Sequence, residues 1–227
     1  MAGLPTVASE VRTARPSEAA QTRPAYEEWL ASSREGGLSE WINGEVIAHM
    51  PAKPEHQRII VFLSTLLNLF SQIMRSGIVA IAPLTMRIAA GGNAREPDLI
   101  FLSADHRDRL TETQLEGPAD LVVEVISDES VARDRDDKFY EYQAGGVREY
   151  WIVDPRPNRQ RADFYVLDAS GRYRPVPVGD DGIYRSVVLP GFWLRVEWLW
   201  AGEQNPLIAL AEILGVEKLV EAMRPGK

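Results

Sequence analysis

The chain has 227 residues, 45% of them hydrophobic and 26% charged, which is enough apolar material for a real core. It carries 25 Lys and Arg against 33 Asp and Glu, a formal net charge of −8, so bulk charge does not draw it to a phosphate backbone and any nucleic-acid contact has to be local or metal-assisted. There is no cysteine and there are three scattered histidines, His49, His56 and His106, which excludes disulfide frameworks, thiolate nucleophiles and cysteine zinc sites, argues against an all-histidine metal cluster, and points to the cytoplasm.

Residues 1–22 are rich in Ala, Ser, Thr, Pro and Arg with no apolar period, and read as a weakly ordered extension or a partner-binding arm; residues 23–227 read as one domain. No continuous apolar run approaches the roughly 20 residues needed to span a bilayer, and no signal-type hydrophobic segment opens the chain, so neither insertion nor export is expected. Thr22 and Pro24 look like a helix entry, with Tyr26, Trp29 and Leu30 at helical spacing, which predicts a helix over 24–33. LSEWI and EVIAHM alternate apolar with polar around Asn43-Gly44, the signature of a tight hairpin. From Pro54 to Ser76 the leucine-rich pattern runs without internal Gly or Pro and predicts the main core helix, stopped by Gly77.

The runs IVAIA, LTMRIA, PDLIFL, ADLVVEVIS, REYWIVD, ADFYVLD and RYRPVPV read as strands, interrupted by one helix over 134–144 that ends at Gly145-Gly146. Strand, helix, strand over 119–127, 134–144 and 148–154 predicts a right-handed crossover and a parallel pair in a mixed sheet, hence an α/β or α+β class. ALAEILGVEKLVEAM predicts a closing helix, Trp151 a sheet-packing residue, and Trp193, Trp198 and Trp200 a seal at the sheet's end. Arg156, Arg159, Arg161, Arg172 and Arg174 cluster in one hairpin region and read as a solvated tip or as phosphate contacts.

LVVEVI holds one carboxylate, Glu124, in a run whose two faces both look buried, where a lone ionised acid would cost several kcal/mol unless paired or bound to metal. Asp98 poses a similar problem at the head of PDLIFL. Two acids on adjacent strands can face each other across about 4.8 Å, and a hard divalent cation would relieve their repulsion by taking both as oxygen ligands. Lys138, on the helix that begins near Asp134, can reach back over the pair and hold an attacking water, or form an ordinary salt bridge with Glu124; spacing leaves both open.

The blocks GEVIAHMPAKPEHQRI, EPDLIFL, GPADLVVEVISDES and DRDDKFYEYQAGGVREYWIVDP, in that order, resemble the Uma-type restriction endonuclease family of the PD-(D/E)XK nuclease superfamily over roughly residues 25–200. The resemblance implies a restriction-endonuclease-like central mixed sheet flanked by helices, with an N-terminal hairpin and further C-terminal hairpins. It implies Asp98 and Glu124 as metal-binding acids, the main-chain carbonyl of Val125 as a third ligand, and magnesium or manganese as cofactor. The superfamily pattern would put lysine two residues after the glutamate, where Ile126 stands, so Lys138 takes that part from the next helix. Glu45 and His56 match further family positions, and Tyr142, one turn after Lys138, is a pocket or core residue.

The function so implied is metal-dependent hydrolysis of a phosphodiester bond in nucleic acid, DNA above RNA, by a homodimer. The competing reading is a catalytically idle nuclease-fold module that binds or regulates as a dimer. No GxSxG, GxGxxG or GxxxxGK[ST] occurs, which argues against serine hydrolase and nucleotide-binding readings.

Overall fold

A computed structural model describes residues 25–33, 39–48 and 53–224; the extension read over 1–22 lies outside the described residues. Helix α1 (Tyr26–Ser33) buries Tyr26 and Trp29 beside Ala94 and Trp41. Strands β1 (Ser39–Ile42) and β2 (Glu45–Ala48) form the predicted antiparallel hairpin. Asn43 at φ 51° and Gly44 at φ 85° take the left-handed backbone that a primed two-residue turn requires.

Helix α2 (Pro54–Met74) starts on a proline, whose missing N–H costs nothing in a first turn, and presents Ile59, Phe62, Leu63, Leu66, Leu67 and Phe70 to the core. Among the described residues it is the one helix long and apolar enough, by length and composition, to cross a membrane. Ser64, Thr65, Asn68 and Ser71 interrupt its apolar residues, so the helix has that length without a continuous apolar run, as the sequence predicts. Its end differs from expectation. Arg75, not Gly77, takes the left-handed cap at φ 53°, its N–H returning to the carbonyls of Ser71 and Gln72.

Ten further strands follow: β3 (Gly77–Ile81), β4 (Met86–Arg87), β5 (Ala94–Arg95), β6 (Leu99–Ser103), β7 (Leu115–Glu116), β8 (Leu121–Val125), β9 (Glu149–Asp154), β10 (Arg161–Leu167), β11 (Tyr173–Pro175) and β12 (Ile183–Arg185). A last strand, β13 (Trp193–Arg195), pairs with β12. The strands divide among three sheets. The main one has order β11-β10-β9-β8-β6-β3; a second, β2-β1-β5-β4-β7, holds the hairpin. LTMRIA contributes only Met86 and Arg87, and to the second sheet. Gly77 is required by close approach, since a Cβ there would stand 2.2 Å from the Leu102 carbonyl oxygen on β6.

The main sheet is mixed, as expected: β8 and β9 run parallel, and its other pairs antiparallel. The parallel pair is joined through a π-helical turn, Arg133–Asp137, that runs into helix α3 (Lys138–Gly145), capped by Gly146 at φ 87°. Alternation along the strands then builds two cores. Leu121, Val123 and Val125 of β8 and Trp151 and Val153 of β9 face α2, together with helix α4 (Pro206–Leu214), while Val122, Tyr150 and Ile152 face α3. The predicted closing helix is broken at Gly215, φ 83°, into α4 and α5 (Val216–Ala222). Trp198 packs edge-on against Phe62 of α2, with Trp193 and Trp200 half-buried around the same cluster.

Candidate active site

Glu124 lies on the α3 side of β8, because the period of two that turns Val123 and Val125 toward α2 turns Glu124 away from it. Asp98 precedes β6 with the same parity as Ile100 and Leu102, which also face α3. The antiparallel register that pairs Leu99 with Val123 continues to set Asp98 opposite Glu124. One oxygen of each acid is tied down. Asp98 Oδ2 accepts the Val125 N–H at 2.7 Å and meets His56 Nε2 at 3.1 Å; Glu124 Oε1 accepts from Lys138 Nζ at 2.9 Å and from the Tyr142 hydroxyl at 2.8 Å. Among the described residues, Asp98 Oδ1 and Glu124 Oε2 accept no hydrogen bond.

Lys138 reaches Glu124 because the π turn places it so: its N–H bonds to the Arg133 carbonyl five residues back, and Asp134 and Lys138 both turn inward, Nζ standing 3.3 Å from Asp134 Oδ1. A third carboxylate comes from the second sheet. Glu40 on β1, fully buried, lies 3.3 Å from the same ammonium, and its other oxygen takes Arg95 Nη1 at 3.2 Å. Arg95 in turn donates to Glu141 of α3 at 2.8 and 2.5 Å, so a chain of ion pairs links the second sheet to α3.

A cavity of about 620 Å³ opens over this cluster, lined by His56, Asp98, Glu124, Val125, Asp134 and Lys138 among others. Burial pushes the Glu124 carboxyl up to about 8, opposed by Lys138 and reinforced by Asp134, Asp98 and Glu40. Burial alone would lower Lys138, but Glu124, Asp134 and Glu40 outweigh it and hold the ammonium charged, above the usual lysine range. His56 is likewise raised, its burial outweighed by Asp98. Both partners of the Glu124–Lys138 pair shift upward, Glu124 chiefly through burial and Lys138 through the acids gathered around it. No group of three His, Cys, Asp or Glu side chains among the described residues has metal-ligating spacing. What the chain offers a cation is two carboxylate oxygens free of hydrogen bonds, with Val125 beside them; magnesium commonly takes one or two carboxylates and fills the rest with water and phosphate, so these donors fit it.

The residues selected from sequence separate accordingly. Asp98, Glu124, Val125, Lys138 and His56 share the cavity, and Tyr142 bonds Glu124 from α3. Glu45 does not join them: it is exposed at the head of β2, outside the cavity lining. The hairpin acid that reaches the cluster is Glu40, which sequence reading passed over because SEWI looks like a half-exposed strand. Asp134 was missed too, although its i,i+4 spacing to Lys138 was legible. A separate Ser103, His106 and Asp120 grouping cannot relay a proton across the ring, since Ser103 Oγ (3.2 Å) and Asp120 (3.0 Å) both meet Nδ1.

Residues 23–197 match the Uma2 family, described as "Putative restriction endonuclease". The chain belongs to that family. Among solved structures, this Uma2 chain is similar to one described as a "putative nuclease belonging to DUF820" from Anabaena variabilis ATCC 29413: 15% identity, 75% of this chain and 96% of that one covered, TM-score 0.60. The two share a fold. No curated protein matches the sequence. Within the Uma2 chain, Ile126, two residues after Glu124, is buried in the core on the α3 side, and the ammonium on Glu124 arrives from α3.

Proposed function

We propose that this protein is a metal-dependent nuclease that hydrolyses a phosphodiester bond of nucleic acid, DNA above RNA. The observation that carries the reading is the pairing of Asp98 with Glu124 on one cavity wall, each with one oxygen tied down and one free, with a charged lysine on the second acid. Asp98, Glu124 and the Val125 carbonyl would hold magnesium or manganese, which supplies Lewis-acid stabilisation of the phosphoryl group and a water of lowered pKa. The Val125 N–H and His56 fix the Asp98 carboxylate, so its free oxygen is aimed before any cation arrives. Lys138, held charged by three acids, acts as a fixed positive charge beside the oxyanion that develops on phosphorus, and neither as a base nor as a further donor, since its ammonium is already paired with Glu124, Glu40 and Asp134. Tyr142, its pKa raised well above 10 by burial, stays a phenol and donates to Glu124 throughout.

Supercoiled plasmid incubated with the protein and magnesium tests the reading. Nicking or linearisation that EDTA and Asp98→Asn both abolish supports it; magnesium binding without cleavage of DNA or RNA would favour the idle module.

A homodimer belongs to the same proposal, though the tryptophans are not its basis, being buried or half-buried. Of the large apolar side chains exposed among the described residues, Leu207, Ile208, Val216, Val220 and Met223 gather on and beside α4 and α5. Light scattering that returned the monomer mass of 25.4 kDa at high concentration would refute it.

A further inference from the structure

The cavity is acidic at its floor, where Asp98, Glu124 and Asp134 lie, but its mouth carries cations on three separate segments. Lys53 immediately precedes α2, Arg133 opens the π turn, and Arg156 follows β9. Two of them are already held by carboxylates. Lys53 Nζ stands 2.5 Å from Asp128 Oδ2, both side chains exposed, and Arg156 grips Asp154 through Nε and Nη2 at 2.8 Å each. Asp128 sits three residues past Val125, on the loop leaving β8, and itself lines the mouth. The Lys53 hydrogen bond holds its carboxyl below the usual range, with Arg156 and Arg159 adding to the pull. Lys53 therefore holds one exposed carboxylate at the mouth, and Arg156, bound to Asp154, lines the same cavity. The remaining acids at the mouth are Glu55, which pairs with Arg58, and Glu129.

The position of this carboxylate relative to the floor gives it a meaning. Lys53 is the N-cap residue of α2, and His56, which touches Asp98, lies in the first turn, so the rim cation and the floor are positioned by one helix start. A strand whose scissile phosphate lay over Asp98 and Glu124 would leave the cavity past the Asp128 carboxylate, which lines the same cavity.

We propose that Lys53 and Arg156 form a subsite for a backbone phosphate flanking the scissile one, and that Asp128 occupies it until a substrate strand displaces the carboxylate. The inference rests on the nuclease reading above and concerns how the strand is held. A phosphate diester offers Lys53 the same charge-assisted bond that Asp128 now makes, and frees Asp128 to water. The exchange costs little because an exposed pair of this kind is weak. Asp128 thereby discriminates against isolated anions and favours ligands already anchored at the floor.

The test is anisotropy of a labelled 20-nucleotide single-stranded DNA with the full chain, calcium replacing magnesium so that binding is read without cleavage. Asp128→Asn should tighten binding about fivefold, while Glu129→Gln, the same charge change one residue away, should change it less than about twofold. In a Lys53→Met/Arg156→Met background the gain from Asp128→Asn should vanish. Lys53→Met alone should weaken binding and lower the slope of log affinity against log salt by about 0.7. All these positions but Arg156 are exposed, so folding is not at stake in the main comparison. Equal effects of Asp128→Asn and Glu129→Gln, or a gain that persists without the two cations, would overturn the subsite. A parent that cleaves DNA with magnesium while Asp128→Asn and Lys53→Met bind as it does overturns the subsite alone; a parent that neither binds nor cleaves overturns the nuclease reading and the subsite with it.

Discussion

Asp98 and Glu124 are neighbours across the β6–β8 ladder, on the face that looks toward α3, yet no direct bond joins them: Asp98 is held by the Val125 N–H and His56, and Glu124 by Lys138 and Tyr142. Two acids placed side by side and each restrained from its outer flank is a costly arrangement for a core, and it makes the metal-free protein sensitive to anything that changes the charge between them.

Glu124→Gln therefore leaves the metal-free protein as stable as the parent, or more so. Lys138 keeps Glu40 and Asp134, both at 3.3 Å, and the amide oxygen still accepts from Tyr142. Were Glu124 the sole partner of a buried lysine, the loss would be about 3–5 kcal/mol. Thermal melts in EDTA and in magnesium separate the cases: an unchanged melt in EDTA with no magnesium-induced rise fits the metal site, and a large loss in EDTA contradicts it.

The pH dependence follows from the same group. Its folded-state value near 8 lies above the ordinary 4.5, so the folded state binds the proton more tightly than the unfolded chain does. The stability this contributes is complete below about pH 4.5 and is lost as the pH rises toward 8, with a slope of at most about 1.4 kcal/mol per pH unit. Urea unfolding in EDTA between pH 5.5 and 8.5 should show the parent losing stability relative to Glu124→Gln; parallel curves would refute the assignment.

Lys138→Met strands three carboxylates around an apolar chain end and should cost about 3–5 kcal/mol at pH 7. Adding Glu124→Gln should recover part of that loss while activity stays absent. A single variant with parental stability in urea would mean that the ammonium is not what balances the cluster.

Glu45→Ala should leave cleavage within about twofold of the parent, whereas Glu40→Gln should lower it at least about tenfold, a transition-state loss of about 1.4 kcal/mol, through a less firmly held Lys138. Initial rates on one plasmid substrate compare the two; a reversed order would return the role to Glu45.

The elements most legible in the sequence were those whose signal is local. Asn43-Gly44 announced its hairpin because only such residues tolerate positive φ at both turn positions, and the buried-type run around Glu124 announced a strand with a misplaced charge. Glu124 and Asp98 stand out because an ion in or beside an apolar run needs an explanation wherever the run folds, and Lys138 because it sits on the next helix within reach of both. Glu40 was not, because its burial comes from the second sheet docking onto α3 through Arg95, a contact between residues 46 apart that leaves no mark in SEWI. Helix ends failed for a related reason: Arg75 takes a left-handed cap that its residue type does not advertise, while Gly77 serves the close approach of Leu102. The cut at Gly215 was visible as a glycine, but its φ of 83° was not.

The account stands most directly on whether Asp98 and Glu124 share a cation. Crystals soaked in manganese and measured at its absorption edge should show one anomalous peak about 2 Å from Asp98 Oδ1 and from Glu124 Oε2, lost in Glu124→Gln. No peak between these acids, with titration calorimetry showing no manganese uptake by the dissolved protein, would contradict it and leave the cluster as a charge-paired part of the core.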